Sequence, residues 1–157
     1  MPIDQRRLLQ VVAILGALFA YATIVVGGTV RGLDAGLACP DWPLCNGSVV
    51  PNLANTQVLV EFVHRSVAAL TGIFMLTTLV AALVWFRSEM RIVTLSMMSF
   101  AVLVTQVGVG ALTITSGNDW VVVTIHLALG TATLASALIV ALVSLWPAKV
   151  PTESSIT

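Results

Sequence analysis

Residues 58–86, VLVEFVHRSVAALTGIFMLTTLVAALVWF, are apolar almost throughout, and their three ionisable side chains, Glu61, His64 and Arg65, sit together near the start. As an α-helix rising ~1.5 Å per residue, such a run outspans a hydrocarbon core of ~30 Å. It lacks the period-two alternation that transmembrane β-strands of about ten residues require. The stretch is therefore predicted to be a membrane-spanning helix. A polar group inside a bilayer is costly, so its three ionisable residues mark it as a candidate site.

Residues 8–30, 92–115 and 121–146 are similar apolar runs, giving four predicted spans. The chain is 58% hydrophobic and only 9% charged, with a mean hydropathy of +1.02, outside the range of soluble globular domains. The predicted fold class is all-α, an integral membrane four-helix bundle forming a single transmembrane domain over residues 1–157, with membrane lipid as its surroundings. Seven basic and seven acidic residues cancel, and no basic patch or recognition motif points to a nucleic-acid partner.

Basic residues favour the cytoplasmic side of short loops. Arg6 and Arg7 precede the first span, Arg87 and Arg91 lie between the second and third, and Lys149 follows the fourth, whereas the 31–57 loop holds only Arg31 at its start. Both termini are expected to be cytoplasmic, with the 31–57 loop on the outer face of the cell membrane. Trp42, Trp85, Trp120 and Trp146 fall where interfacial aromatics belong. The first span follows a basic flank as a signal peptide does, but it is longer than a signal h-region of ~7–15 residues and is expected to be retained.

Residues 30–47, VRGLDAGLACPDWPLCNG, are dense in Gly and Pro and predict a compact, ordered loop. The only two cysteines, Cys39 and Cys45, lie in it. In an oxidising compartment they are expected to form a disulfide, because the intervening residues with two prolines can bring the Cα atoms into range. Whether the pair is a structural staple or a redox couple is open. Two thiolates do not complete a zinc site.

Along the second span, Glu61, His64, Arg65, Ala68 and Gly72 fall on one narrow stripe expected to face the bundle interior. His64 and His126 are the only histidines. Counted from residues 58 and 121 at ~1.5 Å per residue, both lie roughly 8–9 Å inside the outer ends of their helices. Ala68 and Gly130, one turn deeper, are small enough for a flat macrocycle to approach. The two imidazoles read either as polar anchors across the bundle or as axial ligands of one haem iron. Glu61 and Arg65 read either as an i,i+4 pair or headgroup-reaching side chains, or as functional groups: Arg65 with Arg31 on haem propionates, Glu61 on a reacting group. In the third span, Gly108, Gly110 and Ala111 favour close packing, and Gln106 is the strong hydrogen-bonder there, a candidate ligand contact.

Taken together, the loop with its CPDWPLC core (residues 39–45), the EFVHR start of the second span (61–65), residues 106–113 and His126 resemble the haem A synthase family, through all four spans. The resemblance implies a membrane oxidoreductase that converts the C8 methyl of haem O to a formyl group, supplying haem A to terminal oxidases. It implies His64 and His126 as an axial pair on haem iron, Glu61 as the carboxylate of the chemistry, and Cys39 and Cys45 as the family's loop pair. Haem B as cofactor, haem O as substrate, or both, would occupy the site, with haem O synthase and an electron donor as partners. Familiar members have eight helices in two similar halves, each with a His pair, and this sequence resembles one half. Two or more copies are accordingly expected to associate as a homo-oligomer. The competing reading is a bis-His b-type cytochrome, or a haem-binding oxidase-assembly factor, without catalysis.

Overall fold

The computed structural model describes residues 4–146. Lys149, which contributes to the expected orientation, lies outside them. Four helices follow one another: α1 (Gln5–Gly32), α2 (Thr56–Trp85), α3 (Met90–Thr115) and α4 (Trp120–Leu145). All four are long and apolar enough to cross a membrane, and the protein is a multi-pass membrane protein with an all-α four-helix bundle.

Hydropathy alone starts all four helices one to three residues late; α1, α2 and α4 begin at side-chain caps and not at the lipid boundary, whereas α3 has no such cap. Asp4 accepts from the backbone N–H groups of Arg6 and Arg7, Asn55 from those of Gln57 and Val58, and Asp119 from those of Val121 and Val122. Each side chain satisfies amides that the first helical turn leaves without partners. The second apolar run extends to Phe86 in hydropathy, whereas α2 ends at Trp85 and Phe86 caps it.

Consecutive helices run antiparallel. α1 packs along α2 and α4, α3 packs along α4, and α2 meets α3 more sparsely. The seams are built from small residues: Ala13, Gly16, Ala17 and Ala20 on α1, Thr71, Thr78, Ala81 and Ala82 on α2, and Gly130, Thr133, Ala137 and Ala141 on α4 are buried. Large side chains such as Leu18, Tyr21, Ile73, Met98 and Leu127 point outward. This inversion of a soluble core follows from the surroundings: lipid tails are as apolar as Leu, so close backbone approach, and not apolar burial, holds the helices together. Hydroxyls reinforce the seams, with Thr23 and Thr71 at 3.0 Å and Ser99 and Ser136 at 2.9 Å.

One end of the bundle carries the 33–55 loop and the short 116–119 turn. At the other end Arg6 pairs with Glu89 and lies 4.5 Å over the Phe86 ring, tying the start of α1 to the α2–α3 connection. The four tryptophans are exposed, Trp42 and Trp120 at the loop end, Trp85 and Trp146 at the opposite end.

Candidate functional site

The first turns of α2 bring chain-distant groups together. Glu61 is 6% exposed and its Oε1 accepts the Nε–H of Arg65 at 2.7 Å, as i,i+4 spacing on one helix face permits. Arg65 does not reach outward to the headgroups. Its Nη1 donates to the carbonyls of Asp41 at 2.7 Å and Leu44 at 2.6 Å, and its Nη2 to that of Cys39 at 2.7 Å. Four of the five N–H groups of the guanidinium are thereby used, leaving one on Nη2.

The three carbonyls come from a segment closed by the Cys39–Cys45 disulfide, whose Cα atoms are 4.5 Å apart. Both cysteines are buried. Asp41 organises the same segment from outside, accepting the Asn46 N–H at 2.6 Å and the Gly47 N–H at 2.8 Å. Asn46 and Gly47 have φ of +52° and +73°, the left-handed region that Asn and Gly tolerate best.

The Gly47 N–H foremost, then that of Asn46, holds the exposed Asp41 carboxyl below the usual carboxylate range. A depressed folded value means that the bonded loop is favoured above the ordinary Asp range and loses that advantage as pH falls through the lowered one. In NMR spectra the Asn46 and Gly47 amide protons are expected to move together, with a midpoint below that of an unstructured Asp. Asp41→Asn should remove the movement, and a midpoint at or above the ordinary value would contradict the bonding.

Deeper along α2, the His64 ring lies half-buried against α1, and a Cβ built on Gly27 would stand 3.0 Å from its Cε1. His126 of α4 lies likewise against α3, where a Cβ on Gly110 would stand 2.9 Å from Cε1. Gln106 of α3 reaches the same place, its Nε2 3.5 Å from Nε2 of His126. The space that Gly130 leaves is taken by this amide, since a Cβ there would be 3.2 Å from Gln106 Nε2. Arg31 is displaced from this group, exposed at the end of α1 with Asp34 at 3.9 Å.

Among the described residues no group of three or more His, Cys, Asp or Glu could hold a bare metal ion. Two imidazoles fit a haem iron better, because the macrocycle supplies the other four donors. The Nδ1 atoms of His64 and His126 and the Oε1 of Gln106 are buried without hydrogen-bond partners, polar atoms that the bare bundle does not satisfy. Sequence reasoning singled out Glu61, His64, Arg65, Gln106 and His126 as candidates; it missed Gly27, which nothing in the sequence separates from Gly28.

The family described as Cytochrome oxidase assembly protein matches residues 10–58 and 52–155 of this chain. A protein named Heme A synthase from Exiguobacterium sibiricum is 28% identical over 131 residues, which are 81% of this chain and 44% of that protein. Proteins of the same name from Bacillus mycoides and Bacillus cereus are each 29% identical over 137 residues, 85% of this chain and 43% of theirs. The chain thus spans less than half the length of the curated relatives it matches.

Proposed function

We infer, from the fact that this chain belongs to the family described as Cytochrome oxidase assembly protein, that it is an oxidoreductase making haem A from haem O by oxidising the C8 methyl to a formyl group. The observation that carries this reading is a pair of imidazoles on α2 and α4, each with a buried and unpartnered Nδ1, in one bundle with a buried carboxylate one turn from the first. A cytochrome that only passes electrons has no use for that carboxylate or for a disulfide loop fastened to it.

His64 and His126 are the residues that hold haem iron, and haem bound there supplies the redox chemistry. The chain's own groups do the rest. Glu61 keeps Oε1 on Arg65 and offers Oε2 to accept or return a proton beside the reacting methyl. Gln106, with an unpartnered Oε1, orients the bound molecule from the α3 side. The remaining Nη2–H of Arg65 would hold a propionate at the loop end, with Arg31 set apart from it. The disulfide loop closes that end against water. The protein works in the cell membrane with this loop on the outer face, alongside haem O synthase, an electron donor, and further copies of the chain that complete the two-site arrangement of its longer relatives.

Pigment extraction tests the reading. Membranes of cells given this chain and a haem O supply are expected to contain haem A or its hydroxylated precursor by mass spectrometry. Only unaltered haem, with a bis-His spectrum, would transfer the protein to the non-catalytic class of cytochromes and assembly factors.

A further inference from the structure

The four helices form two hairpins, α1–α2 and α3–α4, and in each the second helix presses its histidine on a glycine of the first: His64 on Gly27, His126 on Gly110. Each ring's Nδ1 is buried without a hydrogen-bond partner.

We propose that Gly27 and Gly110 are positioning residues, each a bare patch of helix that acts as a socket and sets the tilt of one histidine for iron ligation. Cε1 lies between the two ring nitrogens. Contact at Cε1 therefore constrains the tilt of the ring, and with it the direction in which a ring nitrogen would meet a metal. Orientation of ligating histidines by the groups behind them is common. The bare helix face is what permits the approach. A methyl group at Gly110 would sit closer to a ring carbon than side-chain carbons normally come, and one at Gly27 at the edge of tolerance. In the free protein the ring can swing aside, whereas a bound iron holds it in place, so the conflict falls on ligand binding.

Neighbouring glycines supply the control. A Cβ on Gly28 or Gly108 meets nothing within 4 Å. Replacing any of the four by Ala raises helix propensity alike, so a difference between them reports the ring contact and not the helix.

The inference rests on His64 and His126 being the axial pair, and one experiment separates the two. Full-length protein in detergent is titrated with haem B, reading the dissociation constant from the Soret band and the ligand geometry from the low-spin ferric EPR g-values. Gly110→Ala is expected to weaken binding by about 10-fold or more and to shift the g-values, as loss of an outer-shell partner does. Gly27→Ala should act in the same direction less strongly, and Gly28→Ala and Gly108→Ala should match the unaltered protein. Equal effects at all four glycines, or none at Gly27 and Gly110 while His64→Ala and His126→Ala lose the low-spin spectrum, would overturn the sockets. Unchanged binding and spectrum in both histidine variants would overturn the axial-pair reading itself.

Discussion

Arg65→Ala is expected to destabilise the protein by about 3–5 kcal/mol, the range for breaking a buried ion pair from one side. The side chains of Arg65 and Glu61 are only 16% and 7% exposed, so water does not replace the lost partner. Truncation leaves the Glu61 carboxylate buried without its donor and releases the carbonyls of Cys39, Asp41 and Leu44 together. Unfolding by a graded denaturing detergent should show an earlier midpoint, and the Cys39–Cys45 disulfide should become more readily reduced by a thiol reagent. Arg65→Lys is expected to fall between, since an ammonium can meet Glu61 but lacks the planar fork that reaches three carbonyls. A variant pair, Glu61→Gln with Arg65→Met, should recover part of the loss by removing both charges. Unaltered stability in Arg65→Ala would show that the loop is held by other means.

Glu61→Gln is expected to lower the conversion of haem O by about 100-fold or more, the contribution typical of a positioned general acid or base. The change is nearly isosteric, and the amide oxygen can still accept from Arg65 Nε, so the clamp and loop should stay in place. The His-ligated haem spectrum should therefore be retained while the ratio of haem A to haem O in extracted pigment collapses. Turnover kept at the unaltered level would remove Glu61 from the chemistry and leave it as the buried anchor of Arg65. Loss of the spectrum together with turnover would instead assign it to haem binding.

The two variants address different links in one chain of contacts. The disulfide shapes a loop, the loop presents carbonyls to Arg65, and Arg65 holds the carboxylate one turn from His64. Sequence showed the components of that chain but only half of its wiring. Glu61 and Arg65 were recognisable as a pair because i,i+4 spacing on a helix is a local relation. That the same guanidinium would collect carbonyls 21 to 26 positions away is not. It depends on how the loop folds back over the end of α2, which the Asp41 hydrogen bonds and the buried cystine decide.

By itself the sequence determined the number of spans and the all-α class, because both follow from hydropathy and a fixed rise per residue. Cap residues at Asp4, Asn55 and Asp119 were also present in it, and they adjusted helix starts that hydropathy had placed late. Only the tertiary structure decided what faces what: that Gln106 fills the space beside Gly130, that Arg31 stays apart, and that Gly27 and not Gly28 meets an imidazole. Adjacent residues on a helix differ by ~100° in direction, and nothing in a glycine itself records which way it points. In lipid the seams are made of small residues throughout, so the pattern that marks a packing face and the pattern that marks a ligand's seat are the same until the neighbouring helix is in place.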